Sequence, residues 1–178
     1  AVVSRLDTIK DNTIKGVDLT SYQAELSAGV KFYDFNHTEL SGVSFMNFLK
    51  DNGINYVNLK VAVNPFDDQG HPYGQGVPSI NNAIKTATLA KQAGLKVNVT
   101  LLYSDAYTSD DVQKLPKGWD SDVTKLNQQV KTYTDDVIKH FSDENIAPDM
   151  ITVGNQINYK FLEKTDWPSI TQLIKTIT

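Results

Sequence analysis

Four short segments alternate apolar and polar side chains: 14–20 (IKGVDLT), 55–62 (NYVNLKVA), 96–103 (KVNVTLLY) and 150–156 (MITVGNQ). A period of two is that of a β-strand. Between them the apolar positions recur every three or four residues. In VSFMNFLKDNG, Phe45, Phe48 and Leu49 share one helical face and Gly53 supplies the stop. SINNAIKTATLAKQAG predicts a helix that starts after Ser79 and ends at Gly94. SDVTKLNQQVKTYTDDVIKHF carries a stripe of Val123, Leu126, Val130, Tyr133, Val137 and Ile138. DWPSITQLIKTIT opens with Asp166 as N-cap and Pro168 in the first turn. The order βαβαβαβα predicts parallel strands joined by right-handed crossovers.

The alternation also sorts the strand faces. One face carries Val17, Leu19, Val57, Leu59, Val61, Val97, Val99, Leu101, Ile151 and Val153, which suits a layer of helices. The other carries Gly16, Asp18, Thr20, Asn58, Lys60, Ala62, Asn98, Thr100, Leu102, Thr152, Gly154 and Gln156. Strands of an open sheet covered on both sides read as continuous apolar runs. A small and polar second face instead suits the inside of a (β/α)8 barrel of TIM type near its mouth. The alternative is an open sheet with one wet face. Four βα units make about half of such a barrel. Residues 14–178 are assigned to it and 1–13 to an N-terminal extension. The outer edges of strands one and four would be open. The expected partner for them is the rest of a longer barrel or a second copy of the chain.

Composition narrows the classes of function. The chain has 178 residues, 40% hydrophobic and 21% charged, with a net charge of −4. No basic run offers a nucleic-acid surface, and no apolar stretch reaches the ~20 residues of a membrane span. There are no cysteines, so thiolate chemistry is excluded. His37, His71 and His140 lack metal-ligand spacing, and no cofactor or metal is expected. Asn36-His37-Thr38 fits a glycosylation acceptor, a common tripeptide. An Asn-, Thr- and Asp-rich chain without cysteine suits a secreted or cell-surface protein, and the expected setting is bacterial.

The connections are asymmetric. Long ones follow the strands: VNPFDDQGHPYGQGVPS, SDAYTSDDVQKLPKGWD and INYKFLEKTDWP. Short ones precede them: KDNGIN, KQAGLK and DENIAPD. Long loops on one rim mark the working face, which in βα-barrels is the C-terminal one. Phe66, Tyr73, Tyr103, Tyr107, Trp119, Tyr159 and Trp167 sit in or beside these loops. Aromatic faces beside Asp and Asn fit a sugar groove by stacking and bidentate hydrogen bonding; the plainer reading is that most of them pack loops onto the barrel. Asp18 and Lys60 face each other as an inner ion pair, since a buried charge needs a partner.

The segments FYD, NGINYVNLKV with NPFDDQGHPYGQG, AKQAGLKVNVTLLYSD and PDMITVGNQIN, in this order and spacing, resemble glycoside hydrolase family 53, the arabinogalactan endo-β-1,4-galactanases. The resemblance runs from about Ile14 to the C-terminus and covers the first half of a family catalytic domain. It implies a retaining glycosidase with an acid/base Glu after the Asn that ends strand four, and a nucleophilic Glu near the end of strand seven. Such pairs of carboxyls lie ~5–5.5 Å apart. Here Asn155 is present and the acid/base position holds Gln156; strand seven lies beyond the four units.

Further departures accompany Gln156. Where the family reads Arg-Leu-Arg-Leu-Trp-Asn-Asp, this chain has Asn58-Leu59-Lys60-Val61-Ala62-Val63-Asn64. Where it reads Asp-Phe-His-Tyr-Ser-Asp, the chain has Thr100-Leu101-Leu102-Tyr103-Ser104-Asp105. An inward Arg, a Trp and a His are missing together, which points to a site released from catalysis. Gln156 marks the degenerate catalytic position, and Asn155, Asp18, Tyr103, Asp105, Trp119 and Lys60 are the candidate sugar contacts. The expected function is a galactanase-like module that no longer cleaves and that binds galactan or another glycan weakly, or serves structurally. The alternative is an active retaining galactanase of which this is a truncated, Glu-to-Gln substituted piece.

Overall fold

The computed structural model describes residues 12–73 and 77–178. The N-terminal extension therefore lies outside the described residues except for positions 12 and 13, as do Gly74, Gln75 and Gly76 of the first rim loop. The main sheet consists of β1 (Gly16–Asp18), β4 (Tyr56–Val61), β5 (Lys96–Leu101) and β6 (Met150–Val153). Their spatial order is β1-β4-β5-β6 and every pairing is parallel. The register aligns Asp18 with Asn58, Asn58 with Asn98, and Thr100 with Thr152. Chain order equals spatial order in this sheet, as right-handed βα crossovers produce. The result is a partial (β/α) barrel.

Helices α2 (Val43–Asp51), α3 (Ile80–Gln92), α4 (Val123–Asp143) and α5 (Trp167–Ile177) form the outer layer. Two additions have no counterpart in the sequence reading. A six-residue helix α1 (Tyr22–Ser27) follows β1, and a two-residue hairpin pairs β2 (Phe32–Tyr33) with β3 (Glu39–Leu40). Both are too short for periodicity to reveal. They are held by an aromatic cluster in which Tyr22 stacks on Phe45 at 5.0 Å and Phe32 lies 4.7 Å from Phe45.

The expected starts at Ser79 and Asp166 are side-chain caps, and Asp122 caps α4 as well. Ser79 accepts from Asn82 N, Asp122 from Thr124 N and Lys125 N, and Asp166 from Ser169 N. Each satisfies backbone donors that the first helical turn leaves unpaired. The outward strand residues Val57, Leu59, Val61, Val97, Val99 and Leu101 are all buried in the core. The far strand differs. Ile151 is 39% exposed, because β6 has a neighbour only on the β5 side among the described residues.

The helical stripe of α4 needs one correction. Its buried residues are Leu126, Val130, Thr134, Val137 and Phe141, whereas Ile138 is 44% exposed. Advancing 3.6 residues per turn from Val130 leads to Thr134 and then Val137, so Ile138 falls off the line. Thr134 is tolerated there because its hydroxyl donates to Val130 O at 2.7 Å. Truncating Phe141 to Ala should therefore cost about 3–5 kcal/mol in denaturant unfolding, while Ile138→Ala should stay within about 0.5 kcal/mol.

Candidate functional site

The inner face of the sheet carries a hydrogen-bonded polar ladder that crosses all four strands. Asn58 Nδ2 donates to Asp18 Oδ2 at 3.0 Å, and Asn98 Nδ2 donates to Asn58 Oδ1 at 2.8 Å. The Thr100 hydroxyl donates to the same Asn58 oxygen at 2.8 Å, and that of Thr152 to Asn98 Oδ1 at 3.1 Å. Parallel register places these side chains opposite one another, so each bonds the next.

At the β1 end the ladder meets an ion pair. Lys60 Nζ lies 2.7 Å from Asp18 Oδ2, and Asp18 Oδ1 accepts from Thr20 N and Thr20 Oγ1 at 2.9 and 2.6 Å. Lys60 Nζ also sits 5.8 Å from the centroid of the Tyr107 ring. Partial burial pushes the Asp18 pKa up, but hydrogen bonds from Lys60 and Thr20 outweigh it and hold the carboxyl below its usual value. Burial and the nearby Asp18 charge both raise the Tyr107 hydroxyl. Asp18, Thr20, Ser21, Glu25, Lys60 and Tyr107 border a depression of ≈ 450 Å³. Sequence reading missed Ser21 and Glu25. The Ser21 hydroxyl donates to Glu25 Oε1 at 2.6 Å, and their i, i+4 spacing ahead of an apolar position was the available signal.

At the β6 end the chain turns sharply. Gly154 has φ 75°, and a Cβ there would meet Ile157 Cγ2 at 2.8 Å. Gln156 also adopts a left-handed φ of 54° and is exposed on the rim. The turn is fastened by Gln113, which is only 3% exposed. Its Nε2 donates to Ser109 O and Asn155 O at 2.9 and 2.8 Å, with a longer contact of 3.3 Å to Gln156 O. Nothing in the sequence marked Gln113, a polar residue in a long loop.

The structure brings only some of the candidate residues together. Asp18 and Lys60 form the predicted pair. Tyr103 does not reach the mouth. Its φ of 51° ends the strand geometry and turns the ring into the core, 1% exposed, where its hydroxyl meets Thr134 Oγ1 at 2.8 Å. Burial raises its pKa far above the ordinary tyrosine value. Asp105 is a staple between two rim loops, because its oxygens accept from Asn64 N at 3.0 Å and Lys117 N at 2.7 Å. Lys117 in turn pairs with Asp68. Trp119 packs edge-on to Tyr133 of α4, with centroids 6.2 Å apart, on the helical flank. The Asn155 amide is occupied by Thr108, donating to its carbonyl at 2.8 Å. Of the other rim aromatics, Tyr159 and Trp167 are more than half exposed, and Tyr159 donates to Asp111 at 3.0 Å. No group of His, Asp and Glu suited to a metal ion occurs among the described residues.

A parallel sheet with helices on its outer face and a polar inner face beneath long rim loops defines part of a βα-barrel, with its working rim at the strand C-termini. The profile of glycosyl hydrolase family 53 matches residues 14–177. The endo-β-1,4-galactanase of Bacillus subtilis is 30% identical over 172 residues, covering 96% of this chain and 39% of that protein. The arabinogalactan endo-β-1,4-galactanase of Humicola insolens is 32% identical over 164 residues, covering 90% of this chain and 46% of its own length. The family 53 catalytic domain of Ignisphaera aggregans superposes with a TM-score of 0.92 at 30% identity, covering 99% of this chain and 49% of that domain. The chain belongs to glycoside hydrolase family 53 and spans less than half the length of these relatives.

Two tests follow from the geometry. Gln113→Ala should cost about 1–3 kcal/mol, since it removes the buried donor from the turn. Gln113→Glu should cost more near neutral pH, where a carboxylate would face carbonyl oxygens; thermal unfolding of both variants checks the order. For Asp18, a folded pKa below the unfolded ~3.9 means that ionisation adds stability above that value, and that the gain is lost as pH falls through the folded pKa. Asp18→Asn should lower stability at pH 7 and flatten the pH dependence below about 4, as read by urea titration across pH.

Proposed function

We propose that this is a galactanase-like barrel segment whose site no longer cleaves and whose mouth retains weak contact with a glycan. The observation that carries the reading is Gln156. It stands on the rim where the family resemblance places the acid/base carboxyl, and an amide has no proton to deliver at neutral pH. A positioned general acid contributes about 10²–10⁴-fold in rate. Asp105, a rim carboxylate in the loop after β5, is engaged by two backbone N–H groups, so it is poorly placed to protonate a leaving oxygen. Where the family has an inward Arg and His, this chain has Asn58 and Leu102, and Asn58 is spent on the ladder.

The glycan contact centres on the depression beside β1. Asp18, Lys60 and Glu25 offer hydrogen bonds to sugar hydroxyls, and Tyr107 offers an aromatic ring. The polymer class is taken from the relatives, whose names specify β-1,4-galactan and arabinogalactan. The proposed setting is a secreted or surface protein, with the remaining barrel strands or a second copy covering the edges of β1 and β6. Support for the setting is compositional, namely a cysteine-free chain rich in Asn, Thr and Asp.

Calorimetric titration with β-1,4-galacto-oligosaccharides tests the mouth. Weak binding is expected, and Tyr107→Ala should reduce it at least about fivefold, on the scale of a stacked ring worth ~1 kcal/mol or more. Unchanged affinity in that variant would remove the mouth from the proposal.

A further inference from the structure

A second cavity, of ≈ 440 Å³, lies on the helical flank. Its floor is Val61, Ala62 and Val63 at the end of β4, one wall is Ile80 at the start of α3, and the other is α4. Trp119 and Tyr133 supply aromatic surface, and Val137 adds an aliphatic side chain to the lining. This space opens on the helix side of the sheet. It shares no lining residue with the depression at Asp18 and Lys60.

The polar groups in the cavity have definable hydrogen-bonding roles. His140 Nδ1 lies 2.8 Å from Asp136 O. A carbonyl can only accept, so Nδ1 carries the proton and Nε2 of the neutral ring is an acceptor. Asp136 adds a carboxylate, and among the described residues no lysine or arginine lines the cavity. Among the described residues no cation pairs with Asp136. Gln128 Nε2 donates to Thr132 Oγ1 at 3.3 Å, which directs the Gln128 oxygen elsewhere as a further acceptor. Gln129 Oε1 accepts from Asp120 N at 3.1 Å, leaving its NH₂ as a donor. An anion would meet a carboxylate and no cation here. A purely apolar ligand would use the Trp119 and Tyr133 surface but none of these acceptors, which water would go on solvating at their exposed positions. A ring with one apolar face and several O–H donors matches both halves of the lining.

We infer that this cavity is a second binding site, for a neutral sugar ring stacked against Trp119 with hydroxyls donating to Asp136, His140 Nε2 and Gln128. The volume accommodates a ligand of one or two rings, within the ordinary range for small-molecule pockets. The inference rests on the carbohydrate reading for its ligand class and adds a site independent of the barrel mouth. Trp119 then contacts glycan from the flank rather than from the rim.

The test uses the two tryptophans, Trp119 in the cavity and Trp167 outside it. Galactobiose and galactotriose are titrated into ¹⁵N-labelled protein while the indole N–H resonances and the tyrosine ring signals are followed. The Trp119 indole should shift and saturate while Trp167 stays in place. Asp136→Ala and Gln128→Ala, both at exposed positions on α4, should each weaken that response at least about fivefold, and Tyr107→Ala should leave it unchanged. If Tyr107 responds and Trp119 does not, the flank site is overturned and the mouth reading stands. If neither ring responds, both fall. A Trp119 response unaffected by Asp136→Ala and Gln128→Ala also overturns the proposed hydrogen-bonding scheme.

Discussion

The structure depends on one interaction: the inward polar side chains of the parallel sheet bond one another from strand to strand, from Asp18 to Thr152. Apolar residues on the outer face drive the sheet onto its helices, and the period of two then commits Asp18, Asn58, Lys60, Asn98, Thr100 and Thr152 to the inside. Their cost there is offset because parallel register sets them side by side. The ladder from Asp18 through Asn58 and Asn98 to Thr152 is the consequence. It leaves no buried side-chain nitrogen or oxygen without a hydrogen bond among the described residues. A slip of one residue in any pairing would carry apolar groups inward and break the ladder.

The same economy governs the rim. Asp105 joins the loops after β4 and β5, and Gln113 joins the loops after β5 and β6. Thr108 and Asn155 add a reciprocal pair of bonds across that second seam. A rim built from such staples holds its shape whether or not it performs chemistry. The chain superposes on a family 53 catalytic domain with a TM-score of 0.92, and these staples are part of the scaffold that does so. Retention of the scaffold and retention of the reaction are separate properties, carried by different residues.

Much of the fold was legible because it is written in periodicity. The four strands, the four main helices and the two strand faces follow from spacing, and the starts at Ser79 and Asp166 from residue type. The hairpin of β2 and β3 was not, because two-residue strands carry no period. The position of Ile138 was misjudged because stripes of i+3 and i+4 diverge over a helix of 21 residues. The site was less legible. Asp18 and Lys60 could be paired across adjacent strands, but Tyr103 was assigned to the rim on sequence position, and a single left-handed residue reversed its direction. Backbone turns of that kind, at Tyr103 and Gln156, are set by tertiary contacts that no local pattern announces. Asp105 and Asn155 were read as ligand contacts because of their residue types; the structure also gives them loop-bracing hydrogen bonds that residue type did not announce.

The proposed loss of chemistry involves several positions acting together, not Gln156 alone. The direct measurement is release of reducing ends from β-1,4-galactan by the full-length natural protein and by its Gln156→Glu variant. Neither should exceed background, because a restored carboxyl would still lack the Arg and His that the family resemblance places beside it. A rise of about 10²-fold or more on restoring the glutamate, the range a general acid supplies, would contradict the account and make residue 156 the sole lesion.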